Sequence, residues 1–116
     1  MEFLINQARN DKLITLYGDG ALRRTFTNIR DICESMLKGA FLKSCANNAF
    51  NIGGEDFSLN EIAALIAKKY DAKIKYIDWP DNALKIESGD TVFDDDKLQN
   101  CGIAPKLKFK DWLYEI

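Results

Sequence analysis

Two stretches of the chain carry apolar residues at spacings of three and four, the pattern of a helix with one buried face. In the first, Ile29, Ile32, Cys33, Met36, Leu37, Ala40 and Phe41 line up as one stripe, and Asn28 or Thr27 can cap its start. That stripe, Met36 and Phe41 included, is expected to be core rather than a ligand box. In the second, Leu59, Ile62, Leu65 and Ile66 face inward behind Ser58-Leu59-Asn60-Glu61. This is a capping box: the serine oxygen can accept from the Glu61 amide while the glutamate reaches back. Shorter helices are expected at 2–9, at 94–100 behind a capping Asp94, and at 109–116. The first starts abruptly, with no capping residue before it.

Three short runs read as strands. Residues 13–17 are apolar and rich in β-formers, and end at Gly18-Asp19-Gly20. Ala49-Phe50-Asn51-Ile52 is stopped by Gly53-Gly54. Residues 73–77 alternate polar and apolar, which gives one wet face, and Trp79-Pro80 breaks them. Residues 81–90 read as irregular, and Thr91-Val92-Phe93 as a brief extended piece. The alternation of helices and strands gives an α/β or α+β class. The runs at Leu13 and Phe50 look built for burial on both faces, as in a covered parallel sheet. The other elements do not supply that cover. The expectation is therefore a single α/β (α+β) fragment over 1–116, part of a larger protein.

Composition narrows the function classes. The 116 residues are 47% hydrophobic and 29% charged, enough apolar residue for a folded core. The net charge of −2 argues against binding nucleic acid by bulk charge. The absence of histidine excludes histidine-dependent nucleophile pairs and His-ligated metals. Cys33, Cys45 and Cys101 are widely spaced and form no Cys-x-x-Cys, which fits buried, inert, reduced thiols in the cytoplasm. No apolar run approaches the ~18 residues of a membrane span, and the N-terminus lacks the basic region of a signal peptide.

Four groups could carry chemistry. Gly18-Asp19-Gly20 precedes Arg23-Arg24, and paired guanidiniums behind a glycine turn can grip a diphosphate; the alternative is a strand-exit turn with solvated arginines. No dinucleotide fingerprint is present, because the third glycine and the helix directly behind it are missing. Gly53-Gly54 could admit a phosphate or simply be the loop before the capped helix. Asp94-Asp95-Asp96 lacks the spacing of a calcium loop and reads better as a helix cap than as a metal site. Trp79 beside Pro80 could line a pocket or plug a loop.

Taken in order, the motifs resemble the C-terminal third of the extended short-chain dehydrogenase/reductases, the NAD-dependent nucleotide-sugar epimerases and dehydratases. The chain has Tyr17-Gly18-Asp19-Gly20, Arg24-Thr25-Phe26, Ile29-Arg30-Asp31-Ile32 and Phe50-Asn51-Ile52-Gly53-Gly54. Ser58, Gly89-Asp90, Asp94-Asp95-Asp96-Lys97 and Cys101-Gly102-Ile103-Ala104-Pro105-Lys106 follow. The collinear set covers essentially the whole chain.

The resemblance implies a substrate-binding region. It places Arg24 on the nucleoside diphosphate, Tyr17 and Leu16 beside the base or ribose, and Asp90 near a position that helps hold the nucleotide. It sets Asn51 and Gly53 in a strand and turn that join a larger Rossmann sheet. It also implies an absence: neither the Rossmann fingerprint nor the Tyr-x-x-x-Lys set occurs, and Tyr70 with Lys73 has the wrong spacing. The fragment is thus expected to hold no catalytic residue, cofactor or metal of its own. NAD(P) would belong to the intact enzyme. The expected partners are a nucleotide-sugar and either the missing Rossmann domain or another copy of the chain, as in a homodimer; nucleic acid and membrane are not expected. The chain departs from the family pattern at Glu87, which replaces an arginine, and at Leu22, Thr25, Asp96 and Ile103. The rival expectation is a non-catalytic interaction module that pairs with another chain through exposed strands.

Overall fold

A computed structural model describes all 116 residues. The chain divides into two compact units, one made of residues 1–24 and 57–91, the other of 25–56 and 92–116. Six α-helices and four strands run in the order α1 (Glu2–Asn6), β1 (Leu13–Tyr17), β2 (Arg23–Phe26), α2 (Ile29–Phe41), β3 (Glu55–Ser58), α3 (Leu59–Tyr70), β4 (Lys73–Ile77), α4 (Asp81–Leu84), α5 (Asp96–Gln99) and α6 (Phe109–Glu115). A π turn at Gln7–Asp11 extends α1, and a 3-10 turn occupies Lys43–Cys45. No helix is long and apolar enough to cross a membrane.

The first unit is a β-α-β arrangement. β1 and β4 pair in parallel, with Leu13 opposite Lys73 and Tyr17 opposite Ile77. Parallel neighbours need a crossover, and α3 supplies it. The Ser58 oxygen accepts the Glu61 amide at 3.2 Å, and the Glu61 carboxylate accepts the Ser58 amide at 2.7 Å, so the capping box forms as the sequence predicts. α3 then buries Ile62, Ala63 and Ile66, with Leu59 and Leu65 only half-buried. It packs against β1, β4 and the N-terminal helical turns, where Ile5, Ala8, Ile14 and Leu16 are also buried. Asp71 ends α3 in the left-handed conformation (φ 51°), a cap that aspartate tolerates better than most residues.

The second unit departs most from expectation. α2 starts where predicted, with the Asn28 side chain accepting the Arg30 amide. Its apolar stripe, however, is not core. Met36 is 66% exposed and Phe41 86%, and the buried side chains of α2 are Asp31 and Ser35. Asp31 is held inside by bonding: its carboxylate accepts the Lys106 and Leu107 amides at 3.0 and 2.8 Å. The predicted strand at 49–52 is absent, and these four residues enter no backbone ladder. Phe50 and Ile52 instead lean on a small cluster of Cys45, Leu98 and Ile103. A strand needs a neighbour for its amides, and none is offered there. The strands that the sequence does not announce are β2 and β3, which pair as a second two-stranded sheet. Of the two apolar runs, the one at Leu13 has a parallel neighbour in β4 and the one at Phe50 has none within the chain. The 81–90 stretch, expected to be irregular, contains α4. Cys33 is exposed rather than buried, against the expectation for the thiols, while Cys45 is buried and Cys101 half-buried.

Candidate functional site

The turn after β1 is fixed by backbone geometry. Gly18 and Gly20 both adopt positive φ (64° and 69°), a region open to glycine. The Trp79 ring lies against Gly18, where a Cβ would come within 2.5 Å of the indole nitrogen. Trp79 also meets the Tyr17 ring at 5.3 Å between centroids. It therefore plugs the turn and leaves one face of Tyr17 outward, with the residue 40% exposed.

Carbonyls of the same turn consume the amides at the start of α3. Leu22 O accepts the Leu59 amide and Gly20 O the Asn60 amide, each at 3.0 Å. The Asn60 side chain donates to Asp19 O at 2.8 Å and accepts from the Tyr76 hydroxyl at 2.9 Å. An anion arriving at this helix end would have to break those bonds.

Arg23 and Arg24 lie on β2, not on a solvated turn. Arg23 faces Glu61 at 3.4 Å. Hydrogen bonding to the Ser58 amide, then to the Ser58 hydroxyl, and the nearby Arg23 charge hold the Glu61 carboxyl below its ordinary value. Arg24 is more deeply engaged. Its Nη2 donates to Glu87 Oε1 at 2.6 Å, and its Nη1 donates to Gly89 O at 2.6 Å and Arg23 O at 2.9 Å. The Asp90 carboxylate accepts the Arg23 amide at 2.8 Å. Thr91 bridges to Arg24 in parallel. Residues 87–91 are thus laid along the start of β2, and Arg24 and Asp90 meet the same short strand.

The other predicted residues are dispersed. Leu16 is 3% exposed and turned into the core, so it can offer a ligand only its backbone. Asn51 belongs to the second unit, where its side-chain amide reaches Asp94 O at 3.5 Å. The Gly53-Gly54 pair serves close packing. The Asp95 carboxylate sits on Gly53, 2.4 Å from where a Cβ would be, and Gly54 lies against the Phe26 carbonyl. A carboxylate at that place opposes a phosphate. In the aspartate run, Asp94 Oδ1 accepts the Asp96 amide at 2.9 Å and Asp95 Oδ1 accepts from Gln99 at 2.7 Å, so the run is spent on starting α5. Sequence reasoning missed the Arg24–Glu87 pair as a contact, although Glu87 stands out as a reversed charge where an arginine is expected.

No family model matches the chain, and no curated protein matches it in sequence. Solved structures do match its fold. An epimerase of the methanogen Methanothermobacter thermautotrophicus superposes with a TM-score of 0.82 at 21% identity, over 97% of this chain and 34% of that one. The chain has the fold of one segment of an epimerase or dehydratase. The dTDP-glucose 4,6-dehydratase of Bacillus anthracis, solved with NAD, gives 0.78 at 22% identity, over 97% and 36% of the two chains. The UDP-glucuronic acid 4-epimerase of Bacillus cereus, solved with UDP-glucuronic acid and NAD, gives 0.78 at 25% identity, over 96% and 36%. The chain therefore spans about a third of the length of the solved structures it matches.

Proposed function

We propose that this chain is the substrate-binding, C-terminal region of an NAD(P)-dependent nucleotide-sugar epimerase or dehydratase of the extended short-chain dehydrogenase/reductase type, acting in the cytoplasm. One observation carries the reading: almost the whole chain superposes on about a third of enzymes of that kind. The remaining two thirds would supply the dinucleotide and the acid/base pair, so this chain would turn nothing over alone. Its part is to hold the substrate. Arg24 would anchor the diphosphate, with Tyr17 offering its open ring face to the base or ribose and Asp90 its second carboxylate oxygen to a hydroxyl. Leu16 contributes backbone. The partner is the domain carrying the Rossmann sheet.

Tryptophan fluorescence tests this reading, because Trp79 sits on Tyr17. UDP- and dTDP-sugars titrated into the chain should shift Trp79 emission saturably. Arg24→Ala should weaken that binding by about 1.5–3 kcal/mol, the range for a charged hydrogen bond. Equal affinity in the variant would overturn the assignment.

A second reading has its own support. Arg24 is already paired with Glu87, and the apolar face of α2 is open. Both suit a non-catalytic module that binds another chain instead of a nucleotide. Absence of any saturable shift, together with formation of a defined complex with a second chain, would favour it.

A further inference from the structure

A strap of residues 87–91 lies across Arg24. Glu87 Oε1 accepts from Arg24 at 2.6 Å and also from the Gly89 amide at 3.0 Å. The two side chains are only 27% and 19% exposed, so water screens the pair incompletely. Glu87 and the Gly89 carbonyl together fix the near side of the segment. The far side is fixed independently, by Asp90 on the Arg23 amide and by the Thr91 amide on Arg23 O at 2.9 Å. Gly89 turns between the two sets of anchors at φ 83°, with open space around it.

We propose that Glu87 is a specificity-determining residue: it occupies the Arg24 guanidinium as an internal carboxylate, so that a diphosphate binds there only by displacing it. The inference rests on the reading of Arg24 as the diphosphate anchor. Two of the Arg24 nitrogens are committed, Nη1 to two carbonyls and Nη2 to Glu87. A diphosphate cannot share that fork with a carboxylate 2.6 Å away, because like charges in a half-buried place repel strongly. The carboxylate is also tethered, so it competes at a high effective concentration. Displacement removes the Glu87 contacts to Arg24 and to the Gly89 amide and leaves the Gly89 carbonyl, Asp90 and Thr91 anchored. The segment between the end of α4 and Asp90 would lose its Glu87 side-chain tie while Asp90 and Thr91 stay on β2. Ligand binding and the mobility of this strap are then one equilibrium.

The test uses the chain itself with inorganic pyrophosphate and UDP as probes, by titration calorimetry. Glu87→Gln keeps the shape and removes the charge, and it should bind both probes at least tenfold more tightly than the parent. Glu87→Ala should do the same, and covers the case in which the glutamine variant folds poorly. The gain should vanish when Arg24→Ala is added. In the parent, saturating UDP should speed tryptic cleavage after Lys85 several-fold, read by mass spectrometry; in Glu87→Ala, which loses the acceptor for both Arg24 and the Gly89 amide, that bond should be cut faster than in the ligand-free parent. If parent and Glu87→Gln bind the probes equally, the inference falls while Arg24 remains an anchor. If none of the three binds either probe, or if the gain survives the loss of Arg24, the anchor reading falls and takes the inference with it.

Discussion

Asp31 is a charged side chain, 3% exposed, on a helix whose apolar residues face water. Its role is to terminate two backbone amides, Lys106 and Leu107, that have no other partner. Asp31→Ala removes both of these part-buried bonds, and a hydrogen bond to a charged group is worth about 1.5–3 kcal/mol. The variant should lose about 2–4 kcal/mol in urea unfolding, whereas Asp31→Asn, which keeps an acceptor oxygen, should lose less. Glu61 is the opposite case, an exposed carboxylate stabilised by the capping box. Its folded pKa lies below the ordinary 4.5. The stability it contributes is therefore complete above about pH 4.5 and disappears as pH falls through the lower folded value. Between pH 6 and pH 3 the parent should lose more melting temperature than Glu61→Gln, and a steeper loss in the variant would refute the assignment. Residues of this second kind are legible in sequence, because Ser58-x-x-Glu61 is a contact between neighbours along the chain. Asp31 with Lys106 is not, since the partners are 75 residues apart.

At the scale of elements, the longer helices followed from periodicity, the single-turn α4 did not, and the strands followed only in part. α2, α3 and α6 begin within a residue of their predicted starts, because caps and apolar spacing are local. β1 and β4 were also visible, as an apolar run and an alternating one. β2 is not: Arg23-Arg24-Thr25-Phe26 has neither pattern, and it becomes a strand through partners distant in sequence, β3 and Thr91. The reverse error at 49–52 has the same cause, since β-forming residues remain unpaired without a neighbour. For the same reason the candidate site was readable as residue types at intervals, but not as the contact between Arg24 and Glu87. Glycines show how strictly the packing decides. Gly39 lies inside α2 with nothing within 4 Å of a Cβ, so Gly39→Ala should stabilise the chain by about 0.5–1 kcal/mol through helix propensity. At Gly54 a Cβ would fall 2.1 Å from the Phe26 carbonyl oxygen, a backbone atom that cannot swing aside. Gly54→Ala should cost about 2–4 kcal/mol. Thermal melts of the two variants should move in opposite directions.

At the scale of the molecule, the decisive feature is where apolar surface remains. Ile29, Met36 and Leu37 are each about two-thirds exposed and Phe41 more so, on one side of a 13-residue helix. Shallow apolar grooves flank the same helix. One, of about 510 Å³, is lined by Leu37, Phe41, Leu42 and Cys101; another, of about 220 Å³, is lined by Met36, Phe50, Ile52 and Leu98. A scattered exposed leucine needs no explanation, but a contiguous patch of this kind does. The backbone of 49–52, beside the smaller groove, is unpaired as well. On the proposed reading, in which this chain is one region of a larger enzyme, both features are the residues that the rest would cover; the chain spans about a third of the solved structures sharing its fold. Two consequences can be measured on the isolated chain. It should enhance the fluorescence of a hydrophobic dye in its native state, and Phe41→Glu should cut that signal severalfold without lowering the melting temperature, since Phe41 contributes little burial of its own. The exposed thiol gives an independent reading, for Cys33 lies on the same stripe. Maleimide should label Cys33 rapidly in the native chain and Cys45 only on unfolding, with burial and the neighbouring Cys101 thiol raising the Cys45 pKa and slowing it further. Cys33 resisting label while the dye stays dark would mean that the stripe is already covered by a second copy of the chain.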